Sequence, residues 1–146
     1  TSMSVPAPPA GLDIRLVESG TALHHFRAVI SAGYEIPTAM VEAFVTADLT
    51  RAPEVESYVG YADGQPAASS TLAFGGRVAG IHNVATAQEF RKRGFGEAMT
   101  WHGIERGAAY GCDMAALQSS EMGQSIYARM GFRVVSPYRT FHRPGV

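Results

Sequence analysis

The chain has 146 residues (15.6 kDa), of which 46% are apolar and 17% charged. That fits a single domain with a real core and excludes a disordered or fibrous chain. One cysteine, Cys112, excludes an internal disulfide and a cysteine-based zinc site. No apolar run approaches the roughly 18 residues of a membrane helix, so a reduced, cytoplasmic setting without membrane is expected. Formal net charge is −1, yet residues 1–73 carry −5 and residues 74–146 carry +4. The split suggests two ligand surfaces of opposite sign or a chance segregation of solvated charge. The absence of an overall basic excess points away from nucleic acid.

Residues 1–11, with three prolines and no charge in the first ten, read as a flexible leader, and 12–146 as one domain. Ile14 and Leu16 alternate in a short strand from Asp13 to Val17. Ser19 can cap a helix with Ala22, Leu23, Phe26, Val29 and Ile30 on its apolar face. Gly33 and Pro37 predict a loop over Ser31 to Pro37. Thr38 opens a second helix with a stripe of Met40, Val41, Phe44, Val45 and Leu49.

Three strands follow. Val55 to Ala62 and Gln65 to Phe74 flank Asp63-Gly64, a strong hairpin signal. After Gly75-Gly76 comes Val78 to Thr86. Then the period changes. Gly94 to Gly111 reads as a helix stopped by its glycine. Met114 to Leu117 reads as a short strand. Ser119 or Ser120 caps a short helix with Met122, Ile126 and Met130, ended by Gly131. Arg133 to Phe141 is expected to return as a strand. The order β-α-α-β-β-β-α-β-α-β implies a mixed sheet flanked by helices.

Two runs carry chemistry. Arg91-Lys92-Arg93-Gly94-Phe95-Gly96 sits between a strand and a helix. Its glycines let backbone approach a ligand closely. The first helical turn leaves N–H groups unpaired, and with the helix dipole and three cations this makes an anion site suited to pyrophosphate. It is neither a Walker loop nor the full dinucleotide fingerprint, since Met99 stands where a third glycine belongs. A solvated strand-to-helix turn is the plainer reading. The second run, Ser125 to Phe132, places Tyr127 on a short helix ahead of Gly131-Phe132. A buried Tyr commonly serves the core, but a phenol can also protonate a leaving thiolate.

Taken together, these runs resemble the GNAT family of acyl-CoA-dependent N-acyltransferases. The resemblance rests on Val84-Ala85-Thr86, Glu89 to Met99, Leu117 to Gly123, and Ile126-Tyr127 with Gly131-Phe132, and covers about residues 78–141. It implies an α/β (α+β) fold: a mixed sheet of about six strands, mostly antiparallel with one splayed parallel pair, and about four helices. It implies acetyl-CoA as cosubstrate, no metal, and an amine acceptor. Val84, Ala85 and Thr86 would pair with the pantetheine arm. Backbone amides from Arg91, Lys92, Arg93, Gly94, Phe95 and Gly96 would hold the pyrophosphate, with the basic side chains on phosphates. Ser119 and Ser120 would lie near the pantetheine or thiol. Tyr127 would protonate the thiolate, and an amide near Val84 or Ala85 would polarise the thioester.

Some relatives place a glutamate base where Gly80 stands here. His82, two residues on, shares that strand face and is the candidate replacement, against the plainer reading of a packed or solvated histidine. Glu35 and Glu42 would act through water or attract a cationic acceptor. The helix pair near 20–50 would form the acceptor pocket, with the last strand, near Tyr138 to His142, covering one side. Elsewhere, His24-His25 reads as surface, Cys112 and Trp101 as packing, and His102 with Glu105 as a local pair. The alternative function is a non-catalytic acyl-CoA-binding regulatory module. A different kind of nucleotide-phosphate binder ranks behind it, because it leaves Tyr127 unexplained. An exposed strand edge leaves room for a homodimer.

Overall fold

The computed structural model describes residues 4–141 and 143–145. Its single sheet keeps chain order: β1 (Asp13–Leu16), β2 (Val55–Ala62), β3 (Gln65–Gly75), β4 (Val78–Thr86) and β5 (Met114–Leu117). Strands β1 to β4 are antiparallel and β5 runs parallel to β4. The β2–β3 turn places Asp63 and Gly64 at φ 54° and 73°, the geometry whose twist matches the flanking strands.

Helices α1 (Gly20–Tyr34), α2 (Thr38–Phe44) and α3 (Ala47–Thr50) lie between β1 and β2. Helix α4 (Phe95–Ala109) makes the β4-to-β5 crossover, and α5 (Gln124–Arg129) follows β5. One face of the sheet is covered by α1 and α2, where Phe26, Ile30, Val41 and Val45 pack with Val17 and Val59. The other is covered by α4, where Phe95 and Met99 pack with Tyr58, Ala62 and Ala68. Trp101 and Ile104 of α4 meet Met130, Ile126 and Tyr127, and Val5 joins them. No helix among the described residues is long and apolar enough to cross a membrane.

Four expectations are corrected. The sheet has five strands among the described residues, because Arg133 to Phe141 forms none. Pro137 removes a ladder donor from its middle, and Val134, Val135, Tyr138 and Phe141 stand exposed. His142, expected at the end of that strand, lies outside the described residues. The helix from Thr38 does not run on to Leu49. Arg27 captures the Val45 carbonyl with Nε (2.9 Å) and Nη2 (2.7 Å), and Thr46 starts α3 by accepting from the Leu49 amide. Helix α1 continues through Gly33 to Tyr34 instead of giving way at Ser31. The helix after Ser120 begins as a 3-10 turn over Glu121–Gly123 before α5.

Candidate active site

Parallel pairing between β4 and β5 covers only Val78–Ile81 against Met114–Leu117. Past that point β4 runs on to Thr86, while β5 ends at Leu117. The sheet therefore opens between its two parallel strands. His82 is the first β4 residue beyond the last pair.

A bulge shapes β4 at this opening. His82 lies opposite Thr71 and Ala85 opposite Ser69, so Asn83 and Val84 together face Ser70. Asn83 takes φ 51°, held by Ser69 Oγ donating to its carbonyl (2.8 Å) and by its own Nδ2 donating to Thr71 Oγ1 (3.2 Å). A bulge interrupts the ladder locally and re-aims the strand. Side chains sort across it. Ile81 meets α4 at Gly103, and Val84 and Thr86 meet α4 at Gly96, whereas Ala85 meets α1 at Gly33. Alternation then puts His82, which is exposed, on the α1 face with Ala85. Its Nε2 lies over Gly80, 2.9 Å from where a β-carbon there would stand.

The Arg91–Gly96 loop ends at the same opening. Lys92 and Gly94 take φ 63° and 78°. Gly94 caps α4 without a side-chain hydrogen bond, so among the described residues no side chain caps the first-turn amides. Glycine at 96 brings that turn against β4: a β-carbon would stand 3.6 Å from Thr86 Oγ1 and 3.8 Å from Val84 Cγ1. The three cations differ. Arg91 Nη2 donates to the Gly33 carbonyl (2.9 Å) and its Nε to Thr86 (3.4 Å). Arg93 lies over the Phe95 ring (4.7 Å) and reaches Asp63 (3.5 Å). Lys92 is exposed and enters no ion pair among the described residues.

Tyr127 approaches from the α4 side of the sheet. It is half-buried, edge-on to Phe132 at 5.9 Å, and closed on one side by Gly123, whose β-carbon would stand 3.0 Å from the ring. Burial pushes its phenol above the ordinary value, the Thr100 side chain drawing it part of the way back. Thr100 spends its own proton on the Gly96 carbonyl (2.9 Å), which leaves its oxygen to accept. Ser119 Oγ comes equally near Gly123, beside Tyr127. Ser120 Oγ instead caps the 3-10 turn, accepting from the Gly123 amide (3.3 Å).

Tyr34 is a functional candidate that sequence reasoning missed. It ends α1, and its hydroxyl donates to the Val84 carbonyl (2.9 Å) at the bulge. Burial first, then the nearby Tyr127, pushes its phenol up to about 12. The two phenols reach the opening from opposite faces. Nothing local marks Tyr34: its partner lies 50 residues away. Glu35 accepts from Gln88 Nε2 (2.6 Å), and Glu42 is exposed on α2.

The remaining histidines and the cysteine lie outside the opening. His25 bonds the Tyr61 hydroxyl (2.9 Å) and His24 is exposed. Cys112 packs beside Leu72, Ala79 and Ile81. His102 sets its ring edge-on to Tyr58 (4.5 Å), and burial lowers its pKa against the opposing pull of the nearby Glu105. No group of three potential metal ligands occurs among the described residues.

A sheet opened between parallel strands, with an uncapped helix N-terminus at its end, is the framework of an acyl-transferring enzyme. The profile of the Acetyltransferase (GNAT) family matches residues 23–132, and the chain belongs to that family. A search of curated protein sequences finds no significant match. Among solved structures, an acetyltransferase from Trypanosoma brucei is 21% identical, with 90% of this chain and 99% of that one covered and a TM-score of 0.73. AAC(6')-Iy, an aminoglycoside N-acetyltransferase solved with a bisubstrate analogue, is 19% identical over 90% and 97% of the two chains, with a TM-score of 0.73. Glucosamine-6-phosphate N-acetyltransferase from Arabidopsis thaliana is 14% identical over 90% and 97%, with a TM-score of 0.70. These likenesses show that the fold is shared.

Proposed function

We propose that the protein transfers the acetyl group of acetyl-CoA to a primary amine, by direct attack in a ternary complex. The observation that carries this reading is the β4–β5 opening, bounded by the uncapped first turn of α4 and approached by Tyr127. The neighbours named for aminoglycoside and glucosamine-6-phosphate acetylation favour an amine acceptor.

The residues fit the cosubstrate. Amides of the Arg91–Gly96 loop and the α4 first turn suit a pyrophosphate, and Lys92 adds a cation that enters no ion pair among the described residues. Gly94 takes the left-handed turn (φ 78°) that leads into α4. Main-chain groups of Val84, Ala85 and Thr86 suit the amides of a pantetheine arm, as an extended ligand adds to a strand edge. An amide at Val84 or Ala85, beside the bulge, suits the thioester oxygen as an oxyanion-type donor. Ser119 lies near the thiol, and Ser120 supports it through the turn.

The acceptor enters from the α1 face, where Tyr34, Glu35 and His82 lie, and the acidic first half favours a cationic one. The amine nitrogen bonds to the acetyl carbon and the carbon–sulfur bond breaks. Tyr127 gives its proton to the departing sulfur and regains one from solvent. His82, or water beside it, takes the proton shed by the nitrogen.

Thermal shift with acetyl-CoA and coenzyme A, followed by thiol release over a panel of amines, tests the reading. Stabilisation by acetyl-CoA with release for at least one amine is expected. Tyr127→Phe should keep coenzyme A affinity within about threefold and lower kcat about 100-fold or more. Stabilisation without release for any amine supports the regulatory alternative. No stabilisation by acetyl-CoA overturns both.

A further inference from the structure

Arg91 leads the cationic loop, yet its guanidinium faces α1. Its Nη2 donates to the Gly33 carbonyl at 2.9 Å, across 58 residues of sequence. Three further contacts join the same two segments. Gly33 touches the end of β4 so closely that a β-carbon would stand 2.8 Å from Ala85 Cβ and 3.1 Å from the Thr86 amide nitrogen. Tyr34 donates to Val84 at 2.9 Å. Gln88, in the 3-10 turn just before Arg91, donates to Glu35 at 2.6 Å.

The geometry of α1 at this point asks for such a clasp. Its last carbonyls have no helical partner, and its C-cap, Glu35, sits at φ 56° and ψ 43°, a region that costs a non-glycine residue energy unless its surroundings hold it. The helix also has no basic residue in its last turn. Arg91 supplies that cation from outside, where the helix dipole favours one.

We propose that Arg91 is a positioning residue that ties the phosphate loop to the C-terminal turn of α1, so that filling the loop fixes the wall against which the acceptor amine is held. The assignment rests on the acetyl-CoA reading above. It gives each of the three cations a different partner: Lys92 meets phosphate, Arg93 holds the β2–β3 turn and the Phe95 ring, and Arg91 holds α1. Coupling of this kind is reciprocal: whatever orders the loop steadies α1, and the reverse.

Hydrogen–deuterium exchange tests this with coenzyme A as the probe. The Glu35 and Ile36 amides both bond the Ser31 carbonyl and report the clasp; amides at Phe26–Ile30 report α1 as a whole. Arg91→Met should speed exchange at 35 and 36 about tenfold and leave 26–30 unchanged; coenzyme A is added at concentrations that saturate each protein. In the unmodified protein coenzyme A should slow exchange at 35 and 36 severalfold, and in Arg91→Met it should not. Arg91→Lys, which retains one donor, should restore part of both effects and covers the case in which the Met variant is unstable. Unchanged exchange in the variants, or surviving protection by saturating coenzyme A in Arg91→Met, overturns the assignment. Failure of the unmodified protein to bind coenzyme A would overturn the acetyl-CoA reading instead, while faster exchange in Arg91→Met would still show the clasp.

Discussion

As the proposed acid, Tyr127 must hold its proton, and its surroundings favour that form. Burial raises the phenol above its ordinary value of 10, because desolvation penalises the phenolate. The sign is then settled: activity should hold as pH rises through the physiological range, and the alkaline limb of kcat should lie above pH 10. Any rise from the acid side belongs to the amine and its base. A pH profile of thiol release checks this, and an alkaline limb near pH 8 would assign the acid to another group. Lys92 makes a second prediction at this scale. Removing its charge with Lys92→Met should weaken coenzyme A binding about tenfold, the order expected for one charge-assisted contact. The difference from the unmodified protein should shrink in high salt. Isothermal titration at two salt concentrations measures both.

Between elements, α4 lies close against β4. A β-carbon at Gly107 would stand 2.5 Å from Ala79 Cβ, and one at Gly103 would stand 2.7 Å from Ile81 Cδ1. Gly107→Ala should therefore lower stability by roughly 1–3 kcal/mol despite the better helix propensity of alanine, and Tm by about 3–10 °C in a chain of this size. A thermal melt showing stabilisation would mean that α4 can lift at no cost. What could be read in the sequence follows the range of the forces involved. The Asp63-Gly64 hairpin, the strand–loop–helix around Arg91–Gly96 and the short Tyr127 helix are set by neighbours in the chain, and each was legible. The break of the second helix at Val45 was not, because the group that causes it is Arg27, 18 residues earlier. Gly33 read as a stop when it is a contact point, since a glycine needed for close approach looks the same in sequence as one needed for a turn. Tyr34 escaped notice for a similar reason, its partner being on β4. The Val, Tyr, Thr and Phe residues of Arg133–Phe141 favour a strand, and say nothing of whether a strand edge is there to receive it.

Across the whole molecule, the opposite charges of the two halves meet each other as well as any ligand. Asp63 pairs with Arg93, and Glu56 with Arg106. The second pairing is the more enclosed. Glu56 on β2 receives Arg106 Nη2 at 2.9 Å and Nε at 3.1 Å, with the hydroxyls of Tyr58 and Tyr110 also donating to it. Tyr110 in turn stacks on Phe74, so one carboxylate gathers β2, β3 and the end of α4. Burial works against its charge, but the hydrogen bonds from Arg106, Tyr110 and Tyr58 outweigh that and bring its pKa down to about 2 from 4.5. A folded-state value below the unfolded one means stability that is complete above about pH 4.5 and is lost as pH falls toward 2. With Arg106 39% exposed, solvent screening reduces the contribution to about 1–2 kcal/mol. Glu56→Gln should therefore be less stable than the unmodified protein by a constant amount above pH 5, and the gap should close between pH 4.5 and 2. Urea titrations across that range measure it. A gap that stays constant down to pH 2 would show that the amide loses packing or geometry there, and that the charge of Glu56 is not what joins the two halves.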